Sequence, residues 1–184
     1  ICDRAHIDLM DGDFAPTKTP DPQVINFNNE IDVDVHLMYK NPENIIEEII
    51  AKKPTMVLVH AESDADIPLI ATKLRENNIK TGLVLLPPTS VDSIKRLLPH
   101  VQHVLIFGGH LGYHGGKADI TQLEKVQQIK FYSKHVEIGW DGGANLQNAI
   151  QLKDAGIDVI NVGSAIHKAQ NPKDAYNQLV SLVS

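Results

Sequence analysis

The chain has 184 residues, 42% of them hydrophobic and 22% charged, with a formal net charge of −6. That length suits one domain over residues 1–184 with a substantial core, and no apolar run reaches the length of a membrane span. Scattered Lys and Arg on an acidic chain argue against a nucleic-acid partner; the one cysteine, Cys2, excludes an internal disulfide and points to a reducing, cytoplasmic setting.

Short β-rich segments alternate with longer segments of helical period, the pattern of parallel βα units. Strands are predicted near Ala5–Met10, Val33–Met38, Met56–His60, Thr81–Leu86, His103–Phe107, Val136–Trp140 and Val159–Val162. Between them the spacing predicts helices over Pro42–Lys52, Asp66–Asn77, Val91–Leu97, Ile120–Phe131, Leu146–Ala155 and Lys173–Val183, with a less regular one near Pro22–Asn28. Asn41 before Pro42 suits an N-cap, and Gly156 suits a helix terminator. Seven such units fit either an open doubly wound sheet or an eight-stranded barrel whose first unit is absent from this sequence.

Alternation along His6-Ile7-Asp8-Leu9-Met10 sends His6, Asp8 and Met10 to one face and the apolar Ile7 and Leu9 to the other. A strand buried on both sides is ordinarily almost wholly apolar, so an inward histidine and carboxylate need a compensating partner, and a metal ion is one. The next strand repeats the pattern with Asp34, His36 and Met38, and Asp141 stands at a third strand tip. His6, Asp8, His36 and Asp141 therefore form a candidate N/O ligand set for one divalent ion: zinc, manganese, iron(II) or cobalt, since the set is too rich in nitrogen for magnesium or calcium. One such histidine alone is more often a hydrogen-bonded core residue; convergence from three strand ends is what favours a metal.

Three glycine-rich turns follow the last three strands: Gly112-Tyr113-His114-Gly115-Gly116, Gly142-Gly143 and Gly163-Ser164. Turns of this kind let backbone N–H groups gather around an anion, and the last two stand where barrels commonly hold phosphate.

His6-Ile-Asp-Leu-Met-Asp-Gly12, Asp34-Val-His-Leu-Met38 with Asn41-Pro42 behind it, Gly115-Gly116, Asp141-Gly-Gly143 and Gly163-Ser-Ala-Ile166 together resemble the ordered motifs of the ribulose-phosphate 3-epimerase family. The resemblance covers almost the whole chain. It implies a (β/α)8 TIM barrel, here lacking its first βα unit, with metal ligands at His6, Asp8, His36 and Asp141. It further implies an acid–base pair, Asp8 and Asp141, and a phosphate cradle at Gly115, Gly116, Gly142, Gly143, Gly163 and Ser164. Met10 and Met38 match an apolar wall beside the reacting carbons, and Phe107 stands where a methionine is usual. Asp13 in place of histidine, Leu86 in place of asparagine and a longer glycine loop also depart from the pattern.

The implied reaction is epimerisation at C3 of a ketose phosphate, D-ribulose 5-phosphate to D-xylulose 5-phosphate, through an enediolate. Alternatives are another ketose phosphate such as allulose 6-phosphate, or a barrel that binds sugar phosphate without catalysis. A decarboxylase or aldolase relative ranks last, because its Asp-x-Lys-x-x-Asp arrangement is replaced by His6-x-Asp8. A homo-oligomer is expected. His60 and Glu62 lack a matching partner in sequence and are set aside, His110 and His114 are allowed outer contacts at most, and Trp140 is expected to pack between sheet and helices.

Overall fold

A computed structural model describes residues 2–26, 30–113 and 115–183. Seven parallel strands run in sequential order: β1 (Arg4–Met10), β2 (Asp32–Met38), β3 (Met56–His60), β4 (Lys80–Leu85), β5 (His103–Phe107), β6 (Glu137–Asp141) and β7 (Val159–Ile160). Helices α1 (Ile46–Ala51), α2 (Ile67–Glu76), α3 (Val91–Ile94), α4 (Glu124–Tyr132) and α5 (Ala149–Ala155) separate β2 through β7, and α6 (Ser164–His167) and α7 (Pro172–Val183) follow. A doubly wound sheet would reverse its strand order part-way. The unbroken order instead makes a curled (β/α) barrel wall of seven strands, matching the eight-stranded barrel less one unit.

Curling follows from where the side chains go. Outward residues such as Val35, Leu37, Val57, Val59, Leu83 and Ile106 pack against Ile46, Ile49, Ile70 and Leu74 of the helices in one continuous apolar layer. Trp140 lies fully buried in that layer, its indole N–H donating to the Gly142 carbonyl at 2.9 Å. Inward residues split by depth: Met56, Leu58, Val84, Leu105 and Phe107 form a second apolar cluster, while Arg4, Asp34, His103 and Glu137 form a polar, hydrogen-bonded group at the strand beginnings. The Arg4 guanidinium donates to Asp34 Oδ2 at 2.6 Å and, two-pronged, to the Glu137 carboxylate at 3.2 and 3.0 Å, while His103 Nδ1 lies 2.7 Å from the same carboxylate. Opposite sides of the wall are thereby tied across the interior, since these residues come from β1 and β2 on one side and β5 and β6 on the other. No helix among the described residues is long and apolar enough to cross a membrane.

Differences from the sequence expectations have local causes. Asn41 makes no capping hydrogen bond; a 3₁₀ turn at Pro42–Asn44 precedes α1 instead. The stretch near Pro22–Asn28 holds a 3₁₀ turn at Pro22–Val24, capped by the Asp21 side chain, and residues 27 and 28 fall outside the described residues. Helix α3 stops at Ile94, and Pro99 then sits in a 3₁₀ turn at Leu98–His100, consistent with the bias against α geometry just before proline. Helix α5 starts three residues late because the Asn145 and Asn148 amides both donate to the Gly143 carbonyl at 3.0 Å and hold a turn there. Asp66 does cap α2, accepting from the Leu69 N–H at 3.1 Å, and Gly156 ends α5 in the left-handed conformation at φ 96°.

The interior ion network sets an acid limit on stability. The hydrogen bond from His103, together with Arg4, outweighs burial and holds Glu137 down from 4.5 to about 2. Ionised Glu137 therefore stabilises the fold above its unfolded value, and that contribution is lost as pH falls from 4.5 toward about 2. In thermal melts followed from pH 6 to pH 2.5, Glu137→Gln is expected to be less stable than the parent at the upper end and to show a shallower decline through the acid range.

Candidate metal centre and phosphate cradle

The C-terminal ends of β1, β2 and β6 bring His6, Asp8, His36 and Asp141 together, with one ligand atom from each lying within 4.8 Å of the other three. Parallel register aligns Asp8 with His36, so the two meet without any loop to steer them. Asp8 Oδ1 lies 3.0 Å from His36 Nδ1 and 3.3 Å from His6 Nε2; Asp141 Oδ2 lies 3.8 and 3.9 Å from the same nitrogens. His36 is completely buried, whereas the Asp8 and Asp141 side chains keep 26% and 19% exposure, so the carboxylates face the cavity with the His36 imidazole behind them.

Their electrostatics suit a cation. Burial favours a neutral Asp8, yet its close contacts with His36 and His6 outweigh it and hold the carboxyl far below the ordinary range. Burial lowers His36 to about 4, leaving it neutral near pH 7 with a lone pair to offer. Burial also lowers His6, but the Asp8 hydrogen bond and the charge of Asp141 prevail and raise it. Negative potential is therefore concentrated at His6 Nε2. Two imidazole nitrogens and two carboxylate oxygens at this spacing match the donor chemistry of a divalent transition metal.

A cavity of about 1210 Å³ opens on this cluster, lined by His6, Asp8, Met10, Met38, Phe107 and Asp141. Met10 and Met38 pair across β1 and β2 and pack with Ala15. Phe107 is buried and presents an edge to His36, ring centroids 6.4 Å apart. Gly115, Gly116, Gly142, Gly143, Gly163 and Ser164 line the same cavity. Gly142 and Gly143 have φ of 108° and 69°, and a Cβ on Gly143 would lie 2.3 Å from the Ala118 backbone nitrogen. Their type is thus demanded by the close passage of the β5 loop, a reason independent of any ligand. Around Gly116 and Gly163, by contrast, a Cβ would meet nothing within 4 Å.

Three neighbours of the site carry no recognisable motif. Asn161, just past β7, places its amide nitrogen 3.1 Å from His6 Nδ1, steadying the ring from behind. Lys168 brings Nζ to 3.3 Å from the position a Gly115 Cβ would take, as does the Ser164 hydroxyl. A cation thereby joins the glycine turns, which only the packing of α6 against the β5 loop reveals. His60, set aside in the sequence for want of a partner, lies 2.8 Å from His36 Nε2. His110 lines the cavity and His114 lies outside the described residues.

The model of the Ribulose-phosphate 3 epimerase family matches residues 2–167. Among curated proteins, the ribulose-phosphate 3-epimerase of Helicobacter pylori is 34% identical over 184 residues, covering 96% of this chain and 85% of that protein. Its Bacillus subtilis counterpart is 29% identical over 185 residues, covering 96% and 85%. Among solved structures, 3-hexulose-6-phosphate synthase from Salmonella typhimurium superposes with a TM-score of 0.65 at 16% identity, over 84% of this chain and 74% of that one. Orotidine 5'-phosphate decarboxylase from Pyrococcus horikoshii does so at 0.61 and 19% identity, over 83% and 74%. At such identities these structures share the fold.

Because the Gly143 turn and the β5 loop are in backbone contact, Gly143→Ala is expected to lower unfolding free energy by more than about 1 kcal/mol. Urea denaturation measures this; a change within about 0.5 kcal/mol would show that the loop yields freely.

Proposed function

The chain belongs to the ribulose-phosphate 3-epimerase family and is an isomerase acting on carbohydrate, and from that premise we propose that it inverts C3 of a ketose phosphate, with D-ribulose 5-phosphate and D-xylulose 5-phosphate as the pair. The observation that carries this reading is the clustering of four N and O donors, two of them carboxylates open to a cavity, at one end of the barrel beside three glycine turns.

His6, Asp8, His36 and Asp141 would hold one divalent ion. Zinc, manganese, iron(II) and cobalt all suit the donor set. When bound, the ion supplies positive charge beside the ketone and its neighbouring hydroxyl, offsetting the negative charge of an enediolate. Asp8 and Asp141 are the acid–base pair: one carboxylate takes the C3 proton from one face of the sugar, the other returns a proton to the opposite face, and the reverse reaction exchanges their tasks. Asp8 is ionised near neutrality, the state from which a carboxylate can take a proton.

Met10, Met38 and Phe107 keep water from the reacting carbons, which protects a carbanionic intermediate from stray protonation. Phosphate rests among Gly115, Gly116, Gly142, Gly143, Gly163 and Ser164, with Lys168 adding positive charge at Gly115. Anchoring the phosphate end fixes C3 between the carboxylates, so that binding energy far from the chemistry serves orientation.

The test is proton exchange at C3 in deuterated water, followed by NMR across a panel of ketose phosphates that includes allulose 6-phosphate, after reconstitution with metal. Exchange and interconversion of the pentulose pair are expected, and Asp8→Asn and Asp141→Asn should each slow them by about 10²–10⁴-fold. Chelation should abolish exchange and lower the melting temperature, with one equivalent of metal restoring both. A folded, metal-loaded parent that exchanges no member of the panel would leave a binding barrel; exchange confined to a hexulose phosphate would move the substrate.

A further inference from the structure

Behind the four-donor cluster lies a chain of side chains that the proposed chemistry does not use. His36 turns Nδ1 toward Asp8 and His6 and Nε2 away from them, 2.8 Å from His60 Nε2. On the far side His60 Nδ1 lies 3.3 Å from Glu62 Oε2. The other Glu62 oxygen accepts from the Leu86 N–H at 2.9 Å and from the Thr89 hydroxyl. Both imidazoles are wholly buried, stacked at 4.9 Å, with Phe14 over His60 at 4.6 Å. Water has little place there, so each nitrogen must be satisfied by its neighbour.

We infer that His60 and Glu62 are positioning residues that fix the tautomer of His36, so that its bare nitrogen faces the donor cluster. A carboxylate only accepts, so His60 Nδ1 must carry a hydrogen. In a neutral imidazole the other nitrogen is then bare, so His60 Nε2 accepts, and His36 Nε2 must be the donor to it. His36 Nδ1 is left with the free lone pair, which can accept from His6 Nε2 at 3.3 Å and lies 3.0 Å from the Asp8 carboxylate, two electron-rich atoms that a shared cation would reconcile. The polarity runs one way from Glu62 to the cluster, and it is anchored by the backbone just past β4 through Leu86. Outer partners of this kind set the orientation and basicity of a ligating histidine.

This inference rests on the metal reading above and predicts an order among variants that size alone would not. In Glu62→Gln the single amide oxygen remains claimed by Leu86 and Thr89, so the amide NH₂ faces His60 and reverses the chain, which turns the His36 lone pair away from the cluster. Glu62→Asp is shorter but still accepts only. Titration of each metal-free protein with cobalt(II), read by visible absorption and by competition with a chromophoric chelator, is expected to show Glu62→Gln binding about 10- to 100-fold more weakly than the parent. Its cobalt spectrum should also change, and Glu62→Asp should bind more tightly than Glu62→Gln. Melting of the metal-free proteins separates this from loss of fold: Glu62→Gln should unfold at the parent's temperature. A Glu62→Gln protein with the parent's cobalt affinity and spectrum, or one that binds better than Glu62→Asp, overturns the relay while leaving the metal centre standing. A parent that takes up no cobalt overturns the metal centre and the relay with it.

Discussion

Asp8 lies within hydrogen-bonding distance of two imidazoles inside a wall of apolar strands, and that contact organises the surrounding structure. A carboxylate there would be costly by itself. It is held ionised beside His6, whose own value is raised in return, and Asp141 completes a ring of donors rather than a single pair. The same ring leaves more negative charge than its own members neutralise, which is why a cation is the natural complement. Parallel register supplies the geometry cheaply: Asp8 opposite His36 and Met10 opposite Met38 give donors and apolar wall at successive depths of one sheet face.

Stability and chemistry are separated along the barrel axis. Arg4, Asp34, His103 and Glu137 bind one another where the strands begin, and Leu58, Val84 and Leu105 fill the middle. The donor cluster and the glycine turns occupy the other end. Each layer answers a different demand: ion pairing ties opposite sides of the wall together, apolar packing excludes water, and the strand tips carry groups that face the cavity. Side chains from the two outermost strands make the curl continuous, since Asn161 beyond β7 reaches His6 of β1.

Alternation within single strands makes much of this legible in sequence. Two consecutive strands with His and Asp at inward positions have no apolar explanation, and the period of two shows which residues share a face without any knowledge of the fold. Helix α2 is equally plain, because Asp66 caps it and Ile67, Ile70, Ala71 and Leu74 repeat at helical spacing. Reading fails where short-range signals compete: Asn41 has the form of a cap but makes no such bond, and Asn145 with Asn148 delays a helix by binding the Gly143 carbonyl. The glycines of the β6 turn resemble a ligand signature, but close passage of another backbone already requires them.

By itself the sequence determined the seven strands, the inward facing of His6, Asp8, His36 and Asp141 and the apolar outer layer, because each depends on periodicity within a short segment. Only the tertiary structure decided which groups from different segments touch. The approach of His60 to His36, the anchoring of Glu62 by Leu86 and Thr89, the arrival of Lys168 at Gly115 and the reach of Arg4 to Glu137 all depend on the curl of the sheet. Curl is a property of the whole set of strands and of the helices packed outside them, and no local pattern encodes it.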